Sequence, residues 1–266
     1  MIEEAMNRTI GKVVNGQNSL GSYNYNYKND PNKESDGGPR SDLSVAGWNY
    51  QALKAAFAAG CTVKGLETAI ENGKSIGLKK TSYNAASGGF SYSGSPTGGK
   101  GASATMTAVG TLCLQLFGEG KSKEALAGLK WIETTQNGAL MKCDWTQANP
   151  RGLYQWYYQT QALFQGYSGN GGGWDTWNKE FQRALMKEQE SDGHWSSPLE
   201  KYKNKNGEGE ESLKGLDHLI FSTSLCCLML EVYYRYLPTF KVTVGAGEAV
   251  AGDAAKKESK DELKIE

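Results

Sequence analysis

No apolar run in this chain approaches the roughly 18 residues that a membrane-spanning helix requires. Proline is scarce: six prolines stand against 34 glycines in 266 residues, a ratio that suits helices joined by glycine turns. Neither sign of charge is in excess, since 29 Lys and Arg balance 29 Asp and Glu. Nothing in that balance points to nucleic acid as a partner. The cysteines do not pair: Cys61, Cys113, Cys143, Cys226 and Cys227 are odd in number and form no C-x-x-C. A disulfide framework or zinc knot is therefore not expected, and buried free thiols are. Histidine is limited to His194 and His218. The opening MIEEAMNRTI is polar and acidic, unlike a signal peptide. A chain that starts at once on an amphipathic helix reads as a truncated piece of a longer protein, and its localisation stays open.

Aromatic residues are what the chain has in quantity: seven Trp, fourteen Tyr and seven Phe. Three of them close a repeated element, Q-x3-G-x-aromatic. It occurs at Gln17, Gly21 and Tyr23, at Gln189, Gly193 and Trp195, and with Asn for Gln at Asn84, Gly88 and Phe90. A degenerate copy, QNGALMKCDW, begins at Gln136. Each copy follows an amphipathic stretch: EEAMNRTIGKVV, GLETAIENGKSIG, EALAGLKWIETT and WNKEFQRALMKE. Apolar residues there recur at three and four, as on a helix with one buried and one wet face. Between them lie DLSVAGWNYQALKAAFAAG, SATMTAVGTLCLQLFGEG, LYQWYYQTQALFQGYSG and FSTSLCCLMLEVYYRYL. These carry few charges and read as helices buried on nearly every side. Ser41 and Ser103 stand where the first two of them need caps. The pattern predicts an all-α domain over residues 1–240, an α/α-toroid or open arc of about four hairpins with inner and outer helices alternating. Residues 241–266 read as a polar, disordered tail. An arc that does not close leaves room for oligomerisation.

The repeat is similar to that of squalene cyclases and prenyltransferase β-subunits. The segments DLSVAGWNYQALKAA, SATMTAVGTLCLQLF, YQWYYQTQALF and LCCLMLEVYYRYLP together resemble bacterial prenyltransferase/squalene-oxidase repeat proteins, over about residues 2 to 240. The resemblance implies the toroid fold and says little about chemistry. The acidic D-x-D-D or D-C-T-A-E element of cyclases is missing, and Asp144 in KCDW is its nearest echo. The D-x-C spacing of zinc prenyltransferases is missing too, because Cys143 directly precedes Asp144. No metal or cofactor is expected.

Three readings of function remain, with binding in an aromatic-lined central concavity preferred. The acids on or beside the apolar segments, Asp42, Asp144, Asp217 and Glu231, with His218, are the weak candidates for catalysis on an isoprenoid or a glycan. The aromatics Trp48, Tyr50, Trp156, Tyr157, Tyr158, Tyr233 and Tyr234 are candidates for lining a concave binding site, with Asn49, Gln155 and Gln159 as polar partners. A small molecule, a peptide or a glycan would suit such a site. A purely structural assembly module is the third reading. His194, inside GHW, is expected at the surface. NDPNKESDGG, from Asn29, lacks the spacing of a calcium loop. GSPTGGKGAS, from Gly94, imitates a phosphate loop, but follows a repeat motif rather than a strand and has Gly101 where a hydroxyl is needed. It reads as a connector whose Lys100 sits at a rim.

Overall fold

The computed structural model describes residues 2–25, 39–93, 101–147, 152–198 and 216–234, with the side chains of 216, 217 and 234 excepted. The stretches from Asn29 to Gly38 and from Gly94 to Lys100, and the tail 241–266, lie outside the described residues, so the readings of them stand as expectations.

The described residues are helix-rich, with eight α-helices. They are α1 (Ile2–Gly16), α2 (Leu43–Ala58), α3 (Leu66–Asn72), α4 (Ala104–Leu116), α5 (Lys123–Thr134), α6 (Gly152–Tyr167), α7 (Gly172–Glu188) and α8 (Leu216–Leu230). A π-helix, Gly73–Ser82, continues α3, and a short antiparallel pair follows: β1 (Tyr83–Asn84) and β2 (Gly89–Phe90), with Tyr83 opposite Phe90. The even-numbered helices are the apolar set, and they touch in chain order: α2 on α4, α4 on α6, α6 on α8. The amphipathic helices lie against them: α1 and α3 on α2, α5 on α4 and α6, α7 on α6. α4 shows why its sequence carries no charge, since every residue from Met106 to Leu116 is buried.

The repeated element is a clasp. In the first copy Gln17 Nε2 donates to Gly21 O at 3.2 Å, Gly21 turns the chain at φ +63°, and Tyr23 is driven into the core. In the last copy Gln189 Nε2 donates to Gly193 O at 2.9 Å, Gly193 has φ +93°, and Trp195 is buried. The backbone agrees in both: Asn18 N reaches Ser22 O and Gly21 N reaches Asn18 O, while Glu190 N reaches His194 O and Gly193 N reaches Glu190 O. The middle copy turns as the β1–β2 hairpin, with Gly88 N reaching Asn84 O one residue further back, Gly88 at φ +79° and Phe90 buried. Glycine is required at these sites because a side chain is strained at such φ.

Each plug is then tied to the next apolar helix. Asp42 N donates to Tyr23 O, Ser103 N to Phe90 O, Phe90 N to Thr107 Oγ1 and Trp195 N to Thr223 Oγ1. Gly110 lets Phe90 lie on α4, where any Cβ would overlap its ring. The degenerate copy follows another route. Gln136, Asn137 and Gly138 all take positive φ, and the plug is Trp145, buried against Trp156 with ring centroids 5.4 Å apart.

One cap differs from expectation. Asp42, not Ser41, caps α2, because its Oδ1 accepts from both Ser44 N and Val45 N. Ser41 is turned away, its hydroxyl 2.8 Å from that of Ser22. Ser103 caps α4 by accepting from Met106 N. All five cysteines are free; Cys113, Cys143 and Cys226 are buried, Cys61 is half-buried, and Cys227 is exposed. Burial pushes the thiols of Cys113, Cys143 and Cys226 up, so they stay protonated.

Candidate functional site: an aromatic cluster between α2 and α6

The aromatics of α2 and α6 converge on one another. Gly47 has no side chain to keep Val109 of α4 away, and a Cβ there would overlap the valine. The close approach of α2 to α4 leaves the next residue, Trp48, directed at α6. Its ring stacks on Tyr157 (6.0 Å, 13° between planes), and it meets Tyr158 edge-on at 5.7 Å and Tyr154 at 6.3 Å. Tyr154 and Tyr158, one helical turn apart, lie 5.0 Å apart. Hydrogen bonds lock the arrangement: Gln51 Nε2 donates to Tyr158 Oη at 2.9 Å, and Tyr154 Oη donates to Ser44 O at 3.3 Å.

The cluster is graded from dry to wet. Tyr158 is fully buried, Tyr157 is buried and Tyr154 is half-buried, whereas Trp48 is 45% exposed. Burial raises the Tyr154 phenol to about 12 and also pushes that of Tyr158 up, so both hydroxyls are neutral hydrogen-bonding groups. Trp48 is thus held by three rings while nearly half of it stays exposed.

The other sequence candidates have structural partners. Tyr50 is buried beside Tyr23, and its hydroxyl donates to Gly21 O at 2.8 Å. Trp156 packs on Trp145, away from the Trp48 rings. Gln159 Nε2 donates to Leu140 O at 2.7 Å, and Gln155 Nε2 approaches Gln159 Oε1 at 3.4 Å. Asn49 Nδ2 donates to Val45 O. Tyr233 packs on Trp174 and Phe181 of α7. The side chains of Tyr234 and Asp217 lie outside the described residues.

Among the described residues no two of the candidate acids meet at the rings, although Asp42 lies near enough to help raise the Tyr154 phenol. Asp42 holds the start of α2 and accepts the Tyr92 hydroxyl on its Oδ2, a bond that lifts Tyr92 to about 12. Asp144 Oδ1 accepts from Thr146 N and Oγ1 at an exposed turn, and Glu231 is exposed after α8. His218 is on the first turn of α8, its Nε2 buried without a hydrogen-bond partner. Among the described residues no three His, Cys, Asp or Glu side chains converge as metal ligands, and no helix is long and apolar enough to cross a membrane.

Two features escaped the sequence reading. Tyr154 and Gln51 belong to the cluster; their places at i−4 from Tyr158 and i+3 from Trp48 were the available signal. The second is at the last clasp, the third of the three intact ones, where Asp192 Oδ1 lies 2.5 Å from His194 Nδ1 and Ser196 Oγ lies 3.4 Å from His194 Nε2. The alternation in DGHWSS is its only trace in the sequence. No protein-family model, no curated protein and no solved structure matches the chain.

Proposed function

We propose that the chain is an α/α-toroid-type repeat domain, closed or open, that binds a neutral ligand or partner through the exposed face of Trp48. The likeness of its repeats to the prenyltransferase and squalene-cyclase group supports the architecture, as does the chain-order contact of α2, α4, α6 and α8. One observation carries the binding reading: a 45% exposed tryptophan stacked on Tyr157 and flanked by neutral phenols. Such a face suits an apolar or ring-shaped ligand, an isoprenoid or the face of a sugar. Among the described residues nothing at the rings resembles the strong acid of a cyclase or a zinc ligand set, so binding accounts for the site better than catalysis on an isoprenoid or a glycan.

Thermal-shift titration of wild type and Trp48→Ala with neutral oligosaccharides and with farnesol tests the reading. Met186→Ala, on the outside of α7 and 71% exposed, is the control. A ligand-induced rise in Tm that Trp48→Ala abolishes and Met186→Ala retains is the expected result. No rise with either ligand class, or one that survives Trp48→Ala, overturns it. A second reading, an assembly module, rests on α8, where Ile220 (56%) and Phe221 (39%) are exposed on a helix otherwise built for burial. Light scattering that shows a dimer in wild type and a monomer in Phe221→Asp would favour it.

A further inference from the structure

The last clasp, that of Gln189, carries three polar side chains whose hydrogen bonds stay within the turn; beside its contact with His194 Nδ1, Asp192 Oδ1 accepts from His194 N at 3.5 Å. The buried Trp195 anchors the segment, with its N–H on Thr223 Oγ1 and its indole Nε1 on Leu185 O at 2.8 Å. Burial alternates around it: His194 half-buried, Trp195 buried, Ser196 half-buried. Asp192 stands on the same outer side, and the turn between is set by Gly193 and clamped by Gln189. The plug therefore fixes the backbone from which all three polar side chains project. The other copies lack the trio: in register, Asp192, His194 and Ser196 correspond to Leu20, Ser22 and Asn24, and to Ser87, Gly89 and Ser91.

We propose that Asp192, His194 and Ser196 form a serine–histidine–aspartate relay that takes an acyl group from an activated ester. Asp192 is a positioning residue: by accepting from His194 Nδ1 at 2.5 Å it selects the tautomer whose Nε2 lone pair faces Ser196. The Ser196 hydroxyl donates to that nitrogen across 3.4 Å. In the first step Ser196 Oγ attacks the carbonyl carbon and its proton passes to Nε2. The bond to the leaving oxygen breaks, and that oxygen departs with the proton from Nε2. Water, deprotonated by the same nitrogen, then cleaves the acyl-serine and restores the hydroxyl while the acid is released. The 71% exposure of the Asp192 side chain makes this an open site, suited to small acyl groups on acidic alcohols or phenols rather than to a ligand that needs a cleft. This site is separate from the Trp48 cluster, and neither proposal depends on the other.

The test uses the whole chain with p-nitrophenyl acetate and a fluorophosphonate probe, and reads the modified residue by peptide mass spectrometry. Exposed lysines react slowly with such esters in any protein, so the position of the label is the readout. Label on Ser196, with turnover lost in Ser196→Ala and reduced about 100-fold in His194→Ala, is expected. Asp192→Asn should lower kcat while leaving KM for the ester unchanged and unfolding at the wild-type temperature, since the side chain is exposed. Label confined to other residues, or Ser196 label undiminished in His194→Ala, overturns the relay.

Discussion

The first and third clasps have the same backbone and opposite surroundings. At the first, the turn is roofed by α3: Gly21 lies so close to Asn72 that a Cβ would overlap its carbonyl oxygen. Gln17 donates a second time, to Ala69 O at 2.8 Å, and the Tyr50 hydroxyl reaches in to Gly21 O. Gly73 and Gly77 of the π-helix leave the room in which Tyr50 sits. At the third clasp nothing comparable covers the turn among the described residues. The nearest atom to a Cβ on Gly193 is Gln189 Nε2 at 4.0 Å, and the Gln189–Gly193 bond is exposed. The glutamine, glycine and plug make the turn in either setting. Among the described residues, the uncovered copy is the one that sets an aspartate, a histidine and a serine side by side at its surface.

The largest difference should appear at the glycines. Both sites have positive φ, so alanine strains each by about 1–2 kcal/mol. At Gly21 the overlap with the Asn72 backbone adds to that strain, and the total should reach about 3 kcal/mol or more. Chemical denaturation of Gly21→Ala and Gly193→Ala measures both, and equal losses would break the contrast between a roofed and an open clasp.

The glutamines should separate by less. Gln17→Ala strips a buried amide from two carbonyls, Gly21 O and Ala69 O, which should cost about 2 kcal/mol. Gln189→Ala removes a bond that water can replace, and about 0.5 kcal/mol is expected. Guanidinium midpoints of the two variants, at equal slopes, give the comparison directly.

The same contrast shows what the sequence could and could not disclose. The helices were legible because apolar spacing reports burial, and α1, α2, α4, α5, α6 and α7 lie where that spacing places them. The clasp was legible because glycine at φ above zero leaves a fixed mark. The roof was not, since contact between Gly21 and Asn72 joins residues far apart in the chain. For the same reason Trp48 and Tyr50 looked equivalent. They are two residues apart on α2, and about 200° of helical rotation sends one to the wet edge of the rings and the other to the core. Asp42 looked like a candidate acid because a capping aspartate and a catalytic one are the same residue type; only its hydrogen bonds to Ser44 and Val45 distinguish them. The short trio at Asp192 was visible in order but not in geometry, because the turn that gathers it depends on Trp195 finding its pocket.

The smallest effect concerns the tie between the first clasp and α2. Asp42 joins the two, its N–H on Tyr23 O and its carboxylate on the first turn of α2, with the Tyr92 hydroxyl donating to Oδ2. That bond, with burial, lifts Tyr92 from about 10 in the unfolded chain to about 12 in the fold. A raised folded-state value favours the protonated phenol, so its stabilisation is complete below about pH 10 and fades as pH rises through 12. At neutral pH Tyr92→Phe should therefore cost on the order of 1 kcal/mol, a modest figure because Tyr92 is only half-buried. Between pH 10 and 12 the wild type should lose that margin and its stability should approach that of Tyr92→Phe. Urea unfolding of both proteins across this range, followed by far-ultraviolet circular dichroism, measures the convergence. Hydrogen exchange should place the loosening at Asp42 to Ala46, at the start of α2, and not at Trp195. Its tie to α8 runs through the Thr223 hydroxyl, which does not ionise there.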